Sequence, residues 1–294
     1  MARGVRVAFI SDTHLSRHRG FFVANFVAVV RAVNALAPDL VIHGGDLSVD
    51  GVDTPDDLVF ARAAHAHLDA PVHFLAGNHD VGEEPGFAQM DQPVAPATLA
   101  RFRDLVGPDR WTLEAGDWLL AGLNSQLMGT GLADEAEQLD WLEGVLSGAG
   151  DRPVGVFLHK PVFFARGIAG GQPSAIFAPS GPRARLLARL LRARVRFVAS
   201  GHLHKYLDIR VGPTRFLWAP ATAYRSGLRV GSGVPLLGFM VLDLDDAGFL
   251  ASVRVPHGIE RPRLSDLKAG MAWLKDAPPL PAGAAERQVA SLSK

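Results

Sequence analysis

Five short clusters along this chain contain side chains of the types that bind metal ions or transfer protons. They are Asp12 with His14, Asp46, Asn78 with His79 and Asp80, His159, and His202 with His204. Side chains alternate along an extended backbone, so the Asp-x-His and His-x-His spacings direct two ligands to one side. A donor set of nitrogen and oxygen suits Mn, Fe, Zn or Co better than Ca or Mg. The donors are too many for one tetrahedral site and favour two ions that share a carboxylate.

The composition leaves imidazole, carboxylate and amide groups as the available metal ligands. The chain has 294 residues and no Cys, which excludes disulfides, thiolate catalysis and zinc sites built from Cys. Its 11 His supply the alternative ligands. The 30 Lys and Arg balance the 30 Asp and Glu, so the formal net charge is zero. We therefore expect no nucleic-acid polymer as a partner.

Each polar cluster follows an apolar segment typical of a buried β-strand. Strands are predicted at residues 5–10, 40–43, 71–76, 154–158 and 195–199. Helices are predicted at 21–36 and 55–68, so the chain begins β-α-β-α-β. Such crossovers imply a parallel sheet covered on both faces, with chemistry at the carboxyl ends of the strands. Gly77 is expected to allow a sharp turn at the end of the third strand.

The remaining segments predict one domain followed by an appendage. Helices are predicted at 97–106, 134–146 and 181–192, and a hairpin at 111–123. Four later strands, at 207–211, 214–219, 237–243 and 251–255, are expected to be antiparallel. We predict a catalytic domain over residues 1–256. Residues 257–294 are predicted to form an appendage, with a short helix near 264–274 and then a Pro/Ala-rich tail.

The sequence also bears on location. The first residues lead directly into a strand and lack the pattern of a signal peptide. No apolar stretch approaches the roughly 20 residues that a membrane span needs. We expect a cytoplasmic protein.

In chain order, the blocks Asp-x-His, Gly-Asp, Gly-Asn-His-Asp, His and Gly-His-x-His resemble the motifs of the calcineurin-like metallophosphoesterase superfamily. All five lie between Asp12 and His204. The resemblance implies an α/β fold, a four-layer sandwich of two mixed β-sheets flanked by helices, with the strands after His204 in the second sheet. It also implies two metal sites that share Asp46. The ligands would be Asp12, His14, Asp46 and His204 for one ion, and Asp46, Asn78, His159 and His202 for the other.

The resemblance implies a phosphoric ester hydrolase. Two ions about 3.5–4 Å apart would lower the pKa of a bridging water, whose hydroxide would attack phosphorus, and would bind the phosphate oxygens. His79 is not needed as a ligand and is expected to donate a proton to the leaving group or to stabilise its charge. Asp80 is expected to orient the other ring nitrogen of His79.

Motif spacing, chain length and residues 218–224 resemble the bacterial class III cyclic-nucleotide phosphodiesterase and glycerophosphodiesterase branch. We predict a phosphodiesterase that acts on a small phosphodiester, with the loop at 166–181 and the Pro-rich tail as departures from that branch. One alternative is a phosphomonoesterase or phosphoprotein phosphatase on the same fold. The other is a non-catalytic scaffold, against which the complete ligand set argues. Homo-oligomerisation remains open.

Each ligand also has an ordinary structural interpretation. Asp12 and Asn78 could cap helices or form turns, and Asp46, after two glycines, could be a turn residue. His159 could be a core or turn residue. These interpretations do not explain why a polar cluster follows each predicted parallel strand, so we favour a shared site.

Histidines and arginines outside the blocks receive separate predictions. His65 and His67 are expected on a helix surface, and His43 and His73 in the core. Side chains near the first block or in the long loop could contact substrate: these are His18, Arg17, Arg19 and Arg166.

Overall fold

A computed structural model of the chain describes residues 4–84, 92–162, 180–225, 233–261 and 281–293. The strands are β1 (Val5–Ile10), β2 (Leu40–His43), β3 (Val72–Phe74), β4 (Trp111–Ala115), β5 (Trp118–Leu123), β6 (Val154–Leu158), β7 (Phe197–Ser200), β8 (Leu207–Val211), β9 (Thr214–Trp218), β10 (Phe239–Leu244) and β11 (Phe249–Arg254). The helices are α1 (Val23–Leu36), α2 (Pro55–Ala64), α3 (Asn78–Val81), α4 (Pro96–Leu105), α5 (Ala133–Gly148), α6 (Ser180–Arg192) and α7 (Ala284–Ala290).

These strands form two mixed sheets. The first has the order β11-β10-β1-β2-β3, in which β1, β2 and β3 run parallel and β10 is antiparallel to β1. The second has the order β4-β5-β6-β7-β9-β8, in which β5, β6, β7 and β9 run parallel. The predicted β-α-β-α-β start and the hairpin β4-β5 are confirmed.

The prediction for the late strands is wrong in two respects. All four were expected to be antiparallel, yet β9 is parallel to β7, because β8 runs back along the sheet edge and a tight turn at Gly212 returns the chain. They were also assigned together to the second sheet. In fact β10 and β11 join the first sheet, where β10 pairs with β1.

Alternation of side chains along the strands builds three apolar layers. Val7 and Phe9 face the second sheet and pack in a cluster with Phe157 and Trp118. Their neighbours Ala8 and Ile10 point to the other face of the first sheet and pack with α1, α2, α4 and α7. The second sheet packs its outer face on α5 and α6 through residues such as Val156, Leu142 and Leu190. The four-layer sandwich of two sheets flanked by helices is confirmed.

The C-terminal helix α7 joins this core. Ala285 and Val289 are buried in the same cluster as the apolar face of α1. The helix was not predicted. The helix predicted at 264–274 and most of the loop at 166–181 lie outside the described residues. The boundary at residue 256 stays a prediction.

Among the described residues, we find no helix with the length and apolar character that a bilayer crossing requires.

Candidate metal centre

The predicted ligands lie at strand ends of both sheets and converge where the sheets meet. From the first sheet, Asp12 and His14 follow β1, Asp46 follows β2 and Asn78 follows β3. From the second, His159 follows β6, and His202 and His204 follow β7. All are buried except His202, which is half-buried.

The first group of ligand atoms comes from Asp12, His14 and His204. An oxygen of Asp12 lies 3.2 Å from Nε2 of His204, and Nε2 of His14 lies 3.3 Å from the same nitrogen. One donor atom from each residue falls within 4.8 Å of the others. The arrangement provides two imidazole nitrogens and a carboxylate around one point, which is a typical donor set for a transition metal.

The second group comes from Asp46, His159 and His202. Nε2 of His159 lies 3.3 Å from Oδ2 of Asp46 and 3.2 Å from Nδ1 of His202. Oδ1 of Asn78 lies 3.2 Å from the same Nε2. Oδ2 of Asp46 is also 3.8 Å from Nε2 of His14, so this carboxylate lies between the two groups.

Backbone carbonyls fix the orientation of three imidazoles. Nδ1 of His159 lies 2.7 Å from the carbonyl oxygen of Gly44. Nδ1 of His204 lies 2.8 Å from that of Tyr224, and Nδ1 of His79 lies 2.7 Å from that of Val49. A carbonyl only accepts, so each Nδ1 carries the proton and Nε2 is left with a lone pair directed into the cluster. Partners of this kind orient metal-binding histidines.

The pKa values of the clustered groups show that the carboxylates favour positive charge beside them. Burial would raise the pKa of Asp12 and Asp46, but nearby histidines, chiefly His204 and His159 respectively, lower both. Burial lowers the pKa of His14 well below its usual value. Burial also opposes charge on His159, but Asp46 raises the pKa of this imidazole to about 9.

This pattern fits metal binding. Without a cation, the lone pair on Nε2 of His159 would face the oxygens of Asn78 and Asp46. A proton or a metal ion relieves that repulsion, and several convergent lone pairs favour the metal ion. The residues present therefore fit a pair of divalent ions.

The backbone at the ligands is unusual. Of the seven predicted ligands, five have positive φ, between 43° and 69°, a region that costs free energy for residues other than Gly. They are Asp12, His14, Asp46, His202 and His204. Such conformations persist where the surrounding structure enforces them, and they direct consecutive ligands toward one point.

Gly77 is needed because it lacks a side chain, and not because it forms a turn. Its backbone is extended, with φ −102° and ψ 177°, so the expected sharp turn is wrong. A Cβ there would lie 2.2 Å from both the backbone nitrogen and Oδ1 of Asp46. The residue must be Gly because the shared carboxylate packs directly against it.

His79 lies beside the cluster, whereas Asp80 does not perform the expected role. The His79 ring lies 4.6 Å from that of His14, and its Nδ1 is bonded to Val49 rather than to a carboxylate. The carboxylate of Asp80 instead accepts from the backbone of Leu47, Ser48 and Gly77, and from the Ser48 hydroxyl. It cannot reach the His79 ring because it caps the short helix α3 and ties it to the Asp46 loop.

The side chains of the early loop that were expected to contact substrate pair with other residues of the chain. Arg17 pairs with Asp56 at 3.4 Å and Glu286 at 3.1 Å, and His18 lies 3.6 Å from Asp56. Arg166 lies outside the described residues. His65, expected at the surface, is fully buried, because a short 3-10 turn after α2 directs it inward.

Two features of the site were missed by sequence reasoning. The carbonyls of Gly44, Val49 and Tyr224 orient imidazoles, yet a carbonyl belongs to every residue and has no sequence pattern. Lys160 directly follows His159, is fully buried, and pairs with Glu84 at 2.8 Å. The sequence signal that could have identified Lys160 is its position immediately after the predicted ligand His159.

Comparison with known proteins agrees with the geometry. The family described as calcineurin-like phosphoesterase matches residues 5–206. The glycerophosphodiester phosphodiesterase GpdQ of Enterobacter lignolyticus is 28% identical over 74% of this chain and 78% of its own. The 3',5'-cyclic adenosine monophosphate phosphodiesterase CpdA of Pseudomonas aeruginosa is 31% identical over 72% of this chain and 74% of its own.

A solved structure supports the fold. The purple acid phosphatase PPD1 of yellow lupin superposes with a TM-score of 0.64 at 14% identity, covering 92% of this chain and 56% of its own. The family match covers more than half of the chain and includes every predicted ligand. The chain therefore belongs to the calcineurin-like phosphoesterase family of hydrolases.

Proposed function

We propose that this protein is a dinuclear metal-dependent phosphodiesterase that hydrolyses a small phosphodiester, such as a cyclic nucleotide or a glycerophosphodiester. The observation that carries the proposal is the convergence of all seven predicted ligands from both sheets into one cluster, of which only His202 is half-buried. Relatives named for hydrolysis of each of these substrate classes support the choice of a diester.

The two ligand groups would hold the two ions. Asp12, His14 and His204 would bind the first, and His159, His202 and Asn78 the second, with Asp46 shared. The imidazole and carboxylate donors suit Mn, Fe, Zn or Co. When bound, the ions would supply an activated water and positive charge for the oxygens of the phosphoester.

His79 is the side chain that would donate a proton to the leaving oxygen. His79 lies beside the first group and holds its Nδ1 proton on the carbonyl of Val49, so its Nε2 is available to the substrate. In that role His79 would act as a general acid. A diester with an alkoxide leaving group depends on such a proton.

The test is hydrolysis of matched substrates by purified protein with and without metal. We expect Mn-dependent turnover of bis-p-nitrophenyl phosphate, faster than that of p-nitrophenyl phosphate and abolished by chelator. Metal analysis should give two ions per chain. Cyclic AMP and a glycerophosphodiester would then identify the class of diester.

Other results would overturn parts of this proposal. Faster turnover of the monoester would indicate a phosphomonoesterase. Two bound ions without turnover of any phosphoester would indicate a scaffold. Full activity with one ion per chain would contradict the dinuclear mechanism.

A further inference from the structure

His43 contacts loops that carry predicted ligands and belongs to none of the five motif blocks. It is the last residue of β2 and is fully buried. Two loops that carry predicted ligands pass over its ring. The first loop contains Asp12, Thr13 and His14, and the second contains Gly45 and Asp46.

Both ring nitrogens of His43 have partners in these loops. Nε2 lies 3.0 Å from Oγ1 of Thr13 in the first loop, and the backbone N–H of Gly45 in the second donates to Nδ1 at 3.2 Å. The Thr13 hydroxyl donates to the carbonyl of Leu47 at 3.1 Å, which adds a second bond between the loops.

The directions of these bonds define one tautomer. An amide N–H can only donate, so Nδ1 of His43 is an unprotonated acceptor for Gly45. The single hydroxyl proton of Thr13 goes to Leu47, so its oxygen accepts from a protonated Nε2. The neutral imidazole with its proton on Nε2 satisfies every partner. Burial and neighbouring His65 hold the pKa of His43 well below its usual value, which agrees with this neutral form.

We propose that His43 is a positioning residue, whose neutral ring links the two loops and holds Asp12, His14 and Asp46 in place for metal binding. The proposal rests on the proposed metal-dependent function. It concerns a residue outside the predicted ligand set that acts through Thr13 and Gly45.

The loops need such a link because their backbones are held in unfavourable conformations. Asp12, His14 and Asp46 all have positive φ, as does Gly45, which directly precedes Asp46. Backbone bonds from Asp12 to Gly45 and from His14 to Asp46 join the loops along one line. The ring of His43 adds a second line of contact beneath them, which resists a twist of one loop against the other.

Neighbouring rings keep His43 in this orientation. The His65 ring packs against it at 4.7 Å and 86°, and its own Nδ1 bonds to the carbonyl of Ala61 at 2.7 Å. The Phe74 ring lies 6.0 Å away. A His here meets demands that an apolar residue cannot, since one side accepts from an amide while the other donates to a hydroxyl.

The experiment measures metal affinity directly, by competition with a chromophoric chelator, in the full-length protein. We expect His43→Leu to weaken Mn²⁺ binding by about 10- to 100-fold, the range for outer partners of metal ligands. His43→Gln retains a donor toward Thr13, and His43→Asn retains an acceptor for Gly45, so both should bind more tightly than the Leu variant. His65→Phe is the matched control and should bind metal within about twofold of wild type, because it keeps the packed ring.

Thr13→Val keeps the experiment decisive if His43→Leu fails to fold, because it deletes the same hydrogen bond with little change in shape. Both variants lose the Thr13–His43 bond, while only Thr13→Val loses the bond to Leu47 and only His43→Leu the bond from Gly45. The double variant should therefore lose less affinity than the sum of the two single losses predicts. Lower thermal stability with unchanged metal affinity in both His43→Leu and Thr13→Val would overturn the proposal. Wild-type protein that binds two ions without phosphoester turnover would refute the proposed function and leave this comparison valid.

Discussion

Asp46 is the residue on which the two ligand groups depend together. Its Oδ2 lies 3.3 Å from Nε2 of His159 and 3.8 Å from Nε2 of His14, and its Oδ1 accepts the backbone N–H of His79. We expect Asp46→Asn to lose both ions and to lower kcat more than about 100-fold, beyond the range for outer partners. Metal analysis together with turnover checks this, and wild-type turnover in the variant would refute the shared role.

His79 should separate chemistry from metal binding. Since its Nδ1 is occupied by Val49 and the other groups already supply the ligands, His79→Ala should retain both ions. The rate should fall by about 10²- to 10⁴-fold for alkoxide leaving groups and much less for p-nitrophenolate, which needs no proton. Kinetics across a leaving-group series measure this. Because His79 lies within ligand distance of His14 and Asp46, loss of one ion in the variant would identify it as a ligand instead.

Gly77 tests the packing behind the shared carboxylate. In Gly77→Ala the new methyl would overlap Asp46, so the carboxylate must move and metal affinity should fall at least about 10-fold. Gly144→Ala on the surface of α5 is the control, since a Cβ there meets nothing within 4 Å and should stabilise the helix by about 0.5–1 kcal/mol. Equal metal affinity in both variants would contradict the steric argument.

The sequence predicted which residues come together at the site better than it predicted the contacts that each of them makes. It predicted seven candidate ligands because each follows an apolar strand, and the structure brings these side chains together. It misassigned Asp80, since a carboxylate next to a histidine in sequence suggests contact, while helical geometry turns it toward Ser48. Close approach of Gly77 to Asp46 depends on two distant segments, and no local pattern encodes it.

Elements were predictable where the pattern was local. The parallel β1, β2 and β3 followed from apolar strands separated by helices. The pairing of β10 with β1 joins residues more than 230 positions apart, and a local pattern cannot choose between two sheets of similar apolar character. Helix α7 was missed because its short Ala-rich segment acquires its apolar face only when it packs on α1.

Helix α2 carries an acid whose titration should affect the stability of the fold. Asp57, in its first turn, is fully buried, and burial raises its pKa to about 6 against the opposing effects of Ser16 and Arg19. The folded state therefore binds this proton more tightly than the unfolded state, where the pKa is near 3.8. The contribution of Asp57 to stability is fully present below about pH 4 and falls as pH rises to about 6.

Asp57→Asn should remove that dependence. Asparagine imitates the neutral acid, so the variant should gain stability over wild type at pH 8, by at most about 3 kcal/mol for this shift. The difference should disappear near pH 4. Urea unfolding of both proteins at the two pH values measures it. A variant less stable than wild type at pH 8 would show that ionised Asp57 is stabilised by Arg19.

At the scale of the whole molecule, the candidate metal centre lies where the two sheets meet. Asp12, His14, Asp46 and Asn78 extend from the first sheet, whereas His159, His202 and His204 extend from the second. An apolar layer holds the sheets together elsewhere, but the strand ends place buried carboxylates and imidazoles against each other. Without cations, this edge buries carboxylates and imidazoles whose removal from water costs free energy that the rest of the core must offset.

Metal binding should therefore stabilise the whole fold and not the site alone. A ligand at 100 times its dissociation constant adds about 2.7 kcal/mol per site, so two ions should raise Tm of the chelator-treated protein by several degrees. Calorimetry with increasing Mn²⁺ measures the shift. His159→Asn removes one of the two second-sheet ligands proposed for the second ion, so it should lose part of the shift because that ion is then held less firmly between the sheets. An equal rise in Tm for this variant and wild type would mean that His159 does not take part in the stabilising metal site.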